Sequence, residues 1–414
     1  MAKGLSRPKN QIRILLLEGI SPTARDVLLN AGYTNLQEVS GALDQAALID
    51  KLQGVHMLGI RSRTQLNEEV LKAAGTLVAV GCFSVGTNQV DLPAATTLGI
   101  PVFNAPFSNT RSVAELTIAE IVMLMRGAFQ KSMAAHDGRW AKTALGSREV
   151  RGKTLGIVGY GNIGTQLAAL GESMGMRVIY FDRTDKLSHG NVEPTETLEA
   201  LLAQSDVVSL HLPETHETRG MFGAEQIRAM KKGAFLINNA RGTLVEIDAL
   251  AAALKDGHLG GAAVDVFPTE PKSNKDTFES ALRGLENVIL TPHVGGSTEE
   301  AQERIGDEVA RKFVEYSDVG STMGAVNFPE VQLPKGTLVT RFIQVQRNEP
   351  GELGRLNDLF ARRGLNIVAQ HYQTDGQIGY VVLDVHGEVE DGVQILEQIR
   401  ELPGTIRARL LNRV

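Results

Sequence analysis

The chain is poor in the residues that would direct it towards several common classes. Its single cysteine, Cys82, excludes an intrachain disulfide framework and cannot by itself build a cysteine-rich metal site. It reads as a buried thiol, and no metal is expected. Positive charge is not in surplus: 42 Lys and Arg face 48 Asp and Glu, a formal net charge of -6. No basic tail or lysine-rich run reverses that balance, so nucleic acid is not an expected partner. No uninterrupted apolar run reaches membrane-spanning length, so no membrane association is expected. The opening MAKGLSRPKNQ carries basic residues without the apolar centre of a signal peptide. A cytoplasmic location is the default expectation.

What is present is the alternation of an α/β enzyme. At 414 residues, about three domains are expected on a prior of roughly 150 per domain. IRILLLEG, VHMLGIRS, LVAVGC and PVFN are short apolar runs separated by helical segments, the pattern of a first parallel sheet. Ser112 and Glu115 have capping-box spacing ahead of the long apolar segment VAELTIAEIVMLMRGAFQ, which reads as a helix bridging two domains. DVVSLHLP, AFLINNA, AAVDVF and NVILTPHV continue a second sheet. From Ser297 a charged amphipathic helix, STEEAQERIGDEVARKFVEY, can return the chain to the first domain, and the glycines and prolines from Val319 to Gly336 read as a linker. The remainder gives β-α-β-β-α-β, a small ferredoxin-like α+β module. The expected fold is two doubly wound parallel-sheet, Rossmann-like domains plus that module. The boundaries are 1–108 with 297–330 for a discontinuous first domain, 109–296 for the second and 337–414 for the third.

The strongest single motif is KTLGIVGYGNIGTQLAALGESMGMRVIYFD. An apolar strand leads into Gly159, Gly161 and Gly164, a helix follows, and a second strand ends in Asp182. In that context the first glycine permits the tight turn, the second lets backbone approach a pyrophosphate, and the third lets helix pack on strand. Asp182 stands where a carboxylate can bind ribose hydroxyls and repel the 2′-phosphate of NADP, so NAD is the expected cofactor. Arg183 beside it weakens the preference slightly. Beyond the fingerprint lie INNARG, VDVFPTEP and LTPHVGGST. Chemistry between a hydride carrier and a carbonyl needs a cation to orient the substrate, a group that moves the alcohol proton, and a carboxylate to tune that group. Arg241, His293 and Glu270 supply that set, and Arg241 can meet a carboxylate through two parallel hydrogen bonds. Taken singly, a strand-end histidine is more often structural and an arginine more often a surface ion pair.

GYGNIG, Asp182, NNARG, DVFPTEP and TPHVGG resemble, in order, the successive signatures of the D-isomer-specific 2-hydroxyacid dehydrogenases, and the resemblance covers essentially the whole chain. It implies that Arg241 binds the substrate carboxylate and carbonyl, that His293 is the general acid/base and that Glu270 favours its protonated form. It also implies dinucleotide contacts from Asp265, from the segments Asn162–Ile163 and Asn239–Arg241, and from His293, Val294, Gly295 and Gly296. For Asp265 a turn-holding role remains open.

Arg61 and Arg63, on either side of Ser62, are two apart and project to one side of an extended segment, where they suit a phosphate monoester. A pair of surface arginines is the other reading. Asn104, Ser108, Asn109 and Arg111 add polar groups ahead of the long helix. These segments, with GCFSVGTNQVDL and AVNFPEV, are similar to the branch of the family that oxidises 3-phospho-D-glycerate in serine synthesis. The resemblance implies closure of a cleft between the two α/β domains. Trp140 and Lys142 resemble a segment that in that branch reaches a neighbouring subunit's active site; a solvent-facing tryptophan is the alternative. The last module resembles an ACT domain, which pairs edge to edge. Its serine-binding set would be Asn348, Pro350, Gly351 and Asn366, with Gln346 in place of a histidine, so serine is the expected effector and a homotetramer the expected assembly. A purely oligomeric role for the module remains open. Other readings are another D-2-hydroxyacid dehydrogenase, including one that reduces 2-oxoglutarate, and an NAD-sensing corepressor-like binding protein.

Overall fold

A computed structural model describes residues 7–271, 275–334, 339–386, 389 and 391–412. The chain divides into two compact units, Met1–Ser108 with Gln302–Val414, and Asn109–Ala301. The expected start of the last module at residue 337, and the end of the expected linker at Gly336, lie outside the described residues.

The first unit contains a five-stranded parallel sheet: β1 (Ile14–Leu16), β2 (Leu36–Glu38), β3 (Met57–Ile60), β4 (Ala79–Cys82) and β5 (Val102–Phe103), in the order β2-β1-β3-β4-β5. Because both faces are covered, β1, β3, β4 and β5 are apolar and buried throughout rather than alternating, while the edge strand β2 is polar and only partly buried. Ile14 and Leu16 enter one core while Leu15 and Leu17 enter the other. Cys82 lies in the latter with no exposed surface, and its thiol is pushed up to about 12 by burial, the Glu18 charge adding to it. The strand order reverses between β1 and β3, so a crevice opens at their carboxyl ends.

The second unit opens with the helix Thr110–Arg126, whose cap is Asn109 without a side-chain hydrogen bond. The expected capping box is not formed: Ser112 Oγ meets Thr298 Oγ1 at 2.9 Å, and Glu115 pairs with Arg111 one turn back. The helix begins before Ser112, so that serine is already inside it. Seven parallel strands follow: β6 (Thr154–Val158), β7 (Arg177–Phe181), β8 (Glu193–Pro194), β9 (Val207–Leu210), β10 (Phe235–Asn238), β11 (Gly261–Val264) and β12 (Val288–Leu290). Their order, β12-β11-β10-β9-β6-β7-β8, reverses between β6 and β9, the point at which doubly wound sheets bind dinucleotides.

The C-terminal sheet is antiparallel, with β13 (Val339–Arg347), β14 (Ile367–Thr374), β15 (Ile378–His386) and β16 (Thr405–Asn412) in the order β14-β15-β13-β16. The helices Glu352–Arg362 and Gly392–Arg400 complete the β-α-β-β-α-β chain order. Phe342, Val381, Leu383 and Leu410 face these helices, while Ile343, Val345, Tyr380 and Val382 join the first unit's main core. The central strands β13 and β15 are therefore buried on both faces, while the edge strand β14 is partly exposed. The long helix Glu299–Val319 contributes Ile305, Val309, Phe313 and Tyr316 to the same core, and its terminal carbonyls are held by cations of the sheet. Arg341 Nη1 donates to Val319 O at 2.8 Å, and Arg409 donates to Tyr316 O and Ser317 O at 3.2 Å. As far as it is described, the expected linker is not a loose tether. Phe328, Val331 and Leu333 are core residues, and Thr322 Oγ1 donates to Pro329 O while accepting from Val331 N.

Candidate active site

The fingerprint residues sit on the turn from β6 into the helix Asn162–Ser173. Gly159 has φ +95°, and a Cβ there would strike the His211 carbonyl, so only glycine makes this turn without strain. A Cβ on Gly164 would strike the Gly159 carbonyl, which explains the close seating of helix on strand. A Cβ on Gly161 would meet nothing within 4 Å: this is the exposed position. No side chain caps the helix and its first turn carries no acid, so the amides around Asn162 and Ile163 fit a pyrophosphate. Asp182 ends β7. Its Oδ2 accepts from Tyr160 N at 3.0 Å, and its Oδ1 from the Thr184 amide and hydroxyl. Burial raises its pKa, but those hydrogen bonds and Lys186 outweigh burial and hold the group below its ordinary value. Arg183 is paired with Glu217 at 2.5 Å. His211, at the end of β9, is kept neutral because burial drives its pKa down to about 4; Ser209 Oγ lies 2.9 Å from its Nε2.

The turn after β10 is built by its own asparagines. Asn238, fully buried, accepts from Ala240 N and donates to Arg241 O. Asn239 donates to Thr117 Oγ1 at 3.0 Å and to Glu120 Oε2 at 2.7 Å. Glu120 is 1% exposed, and burial pushes its pKa up to about 7, the Asn239 hydrogen bond opposing and Asp265 adding to the shift. Arg241 Nη1 donates to Ala240 O at 2.7 Å. Burial draws the guanidinium pKa down while Glu214 and Glu270 oppose that shift.

After β11, Asp265 is 1% exposed and its carboxylate is taken up by the loop that follows β12. Thr291 Oγ1 donates at 2.6 Å, and the amides of Val294 and Gly295 each donate at 2.8 Å. The His293 amide donates to the Asp265 carbonyl at 2.8 Å, fixing the histidine at φ +55°. Glu270 Oε1 accepts from Phe267 N at 3.2 Å, and both its oxygens lie about the His293 Nδ1, at 3.0 and 2.9 Å. The hydrogen bond from Glu270 raises the His293 pKa; burial opposes it, and the Glu270 and Asp265 charges reinforce it against Arg241. For Glu270, burial favours the neutral acid, but the bond and charge of His293, the Phe267 amide and Arg241 together lower its pKa. Arg241, Glu270 and His293 thus feel one another's charge at the carboxyl ends of neighbouring strands. Gly296 packs against the Asn109 side chain within the same unit.

The other expected residues are distributed through the fold. Arg61, Ser62 and Arg63 form the loop after β3; Ser62 and Arg63 are exposed, and Arg61 is partly so. Asn104 is engaged with Val85 O, and Ser108 with Glu308. Trp140 is 87% exposed, and Lys142 lies beside it on the surface. Asn348, Pro350, Gly351 and Asn366 are exposed in the C-terminal module, whereas Gln346 is 1% exposed inside it, so the structure does not bring Gln346 to their surface. Asn348 accepts from Tyr372 Oη at 2.9 Å and donates to Gly376 O. A pocket of about 410 Å³ lined by Arg126, Lys131, Arg148 and Phe235 lies at the amino ends of the second sheet, away from this chemistry. Glu18, Glu120 and Glu214 were not anticipated from the sequence.

This arrangement defines an NAD-dependent oxidoreductase, and the chain belongs to the D-isomer-specific 2-hydroxyacid dehydrogenases. The NAD-binding domain of that family matches residues 118–295, and an ACT domain like that of the AHAS small subunit matches 342–407. The chain is 54% identical to the D-3-phosphoglycerate dehydrogenase of Haemophilus influenzae over 411 residues, 99% of this chain and 100% of the relative. The enzyme of the same name from Escherichia coli K12 matches to the same extent. Among solved structures, the TT0316 protein of Thermus thermophilus is 34% identical with a TM-score of 0.69, over 76% of this chain and 100% of that one. The D-lactate dehydrogenase of Aquifex aeolicus, complexed with NAD and lactic acid, is 28% identical with a TM-score of 0.66, over 77% and 100%.

Proposed function

We propose that this chain oxidises 3-phospho-D-glycerate to 3-phosphohydroxypyruvate with NAD, the first step of serine synthesis. The observation that carries the reading is the Glu270–His293 pair beside Arg241, in a chain similar from end to end to D-3-phosphoglycerate dehydrogenases. Arg241 binds the substrate carboxylate and orients C2. The His293 Nδ1–H faces Glu270, which leaves Nε2 to take the hydroxyl proton as the C2–H bond breaks. The imidazolium so formed is stabilised by the Glu270 carboxylate, and in the reverse direction it returns the proton to the carbonyl oxygen. NAD, held by the turn at Gly159–Gly164, by Asp182 and by the 239–241 and 293–296 segments, supplies when bound the acceptor for the hydride.

Arg61 and Arg63 are assigned to the phosphate. The Arg61 guanidinium has no acidic partner among the described residues, which supports that assignment. Asn109 and Lys142 are assigned to further substrate contacts. The same arginines could take the second carboxylate of 2-oxoglutarate in the reductive direction. Exposed Trp140 and Leu145 support a subunit contact, and pairing at both this surface and the ACT-like module would give a homotetramer. Serine is assigned to the exposed Asn348, Pro350, Gly351 and Asn366, and the protein to the cytoplasm. NADH formation by the purified protein tests the reading. More efficient turnover of 3-phospho-D-glycerate than of glycerate or 2-hydroxyglutarate is expected. Preference for either of the latter would assign a different acid, and no turnover of any would favour a binding protein.

A further inference from the structure

The carboxylate of Glu18 gathers the backbone of the loop that carries Arg61 and Arg63. Glu18 follows β1 and is 4% exposed, at the point where the strand order of the first sheet reverses. Its Oε1 accepts from the amides of Arg61 and Thr64 at 3.2 and 2.9 Å, and its Oε2 from the amide of Arg63 at 3.0 Å. The loop is also held by Gln89, whose side-chain amide donates to Arg61 O at 2.6 Å. Converging amides of this kind form a concavity that binds anions. Here a side chain fills it, so these amides are taken, and an anion at this loop is left to the guanidinium groups. Arg63 Nε stands 3.7 Å from Glu18 Oε2 with the side chain about half exposed.

A second observation singles out the same residue. Among the described residues, only two outside glycine have positive φ: His293 at +55° and Glu18 at +63°. Such conformations are costly for residues with a Cβ and concentrate where function demands them. For His293 the conformation presents the imidazole to Glu270. For Glu18 it turns the carboxylate back beneath the 61–64 loop.

We infer that Glu18 is a positioning residue for phosphate recognition, fixing the loop so that Arg61 and Arg63 meet a phosphate monoester. This rests on the assignment of the phosphate to those arginines. The distinction between a positioning carboxylate and a merely structural one lies in substrate discrimination. In Glu18→Gln, one of the two acceptor oxygens becomes an NH₂, which cannot accept from the Arg63 amide. Glu18→Asp keeps both oxygens on a shorter arm.

The experiment measures kcat and KM for 3-phospho-D-glycerate and for glycerate in wild type, both Glu18 variants, Arg61→Ala and Arg63→Ala, with NADH binding and thermal unfolding as controls for folding. For Glu18→Gln we expect KM for the phosphorylated acid to rise about tenfold, the scale of a lost hydrogen bond to a charged group. Saturating kcat and the glycerate parameters should change less than about twofold. Glu18→Asp should fall between Gln and wild type in discrimination. Should Glu18→Gln not fold, an unchanged discrimination in Glu18→Asp overturns the inference and a reduced one supports it. If the arginine variants lose discrimination while a folded Glu18→Gln keeps it, the Glu18 inference fails alone. If the arginine variants also keep it, the phosphate assignment fails and the inference with it.

Discussion

Glu270 meets His293 at a single ring nitrogen: both carboxylate oxygens lie about Nδ1, at 3.0 and 2.9 Å, leaving Nε2 on the opposite side of the ring. The pair leaves Nε2 free to handle the substrate proton in the proposed reaction, and it raises the histidine pKa. The proposed oxidation uses neutral His293 as base, so kcat/KM should fall on the acid side of that raised pKa. Glu270→Gln removes the anion, lowers the His293 pKa, and should move the acid limb to lower pH while reducing the plateau. A pH–rate profile with an unmoved limb would assign the limb to another group.

Removing the base itself should act on chemistry rather than on cofactor affinity. His293→Ala should lower kcat by about a hundredfold or more with the NADH dissociation constant nearly unchanged. Stopped-flow turnover and fluorescence titration of NADH separate the two, and near-normal turnover would remove His293 from the mechanism.

Asp182 offers a carboxylate at the end of β7 that neighbouring hydrogen bonds keep ionised, while the adjacent Arg183 is paired with Glu217. NAD should therefore have the higher kcat/KM, and Asp182→Ala should narrow the gap to NADP. A wild-type preference for NADP would show that Arg183 dominates.

The C-terminal sheet contains a buried ion pair, Arg341 with Asp384, at 2.7 and 2.8 Å. Asp384→Ala would leave the guanidinium buried and uncompensated, at a cost of about 3–5 kcal/mol. Denaturant unfolding should show the loss. A change below about 1 kcal/mol would mean that the arginine finds water or another acceptor.

Asn366 is exposed, whereas Gln346 is buried. Serine should inhibit, and Asn366→Ala should abolish that response while Gln346→Leu largely keeps it. Isothermal titration of serine into the three proteins is the check; loss only in Gln346→Leu would place the site inside the module.

Much of this architecture was legible in the sequence because buried parallel strands leave uninterrupted apolar runs such as IRILLL and AFLIN. The fingerprint, NNARG and TPHVGG each mark a strand end by glycine, asparagine or proline, so Arg241 and His293 could be placed there. β2 and β8 could not be read, since LQE and EP are short polar edge strands with no periodicity. The 320–334 stretch has the composition of a linker, yet its scattered Phe328, Val331 and Leu333 are buried by partners far along the chain. Glu18 and Glu120 belong to no local motif. Their significance comes from burial and from hydrogen bonds to residues 43 to 46 and 119 positions away. The one trace of Glu18 in the sequence is a charge set directly after a run of leucines and before glycine.

The proposed reaction is direct hydride transfer from C2 of a phosphorylated D-hydroxy acid to NAD, with His293 taking the hydroxyl proton. The most direct measurement uses 3-phospho-D-glycerate deuterated at C2 and follows the label by mass spectrometry of the reduced cofactor. One deuterium is expected in each NADH formed by the wild-type protein, with a rate of label transfer lower by about a hundredfold in His293→Ala. Unlabelled NADH, or label transfer at an undiminished rate in His293→Ala, would contradict it.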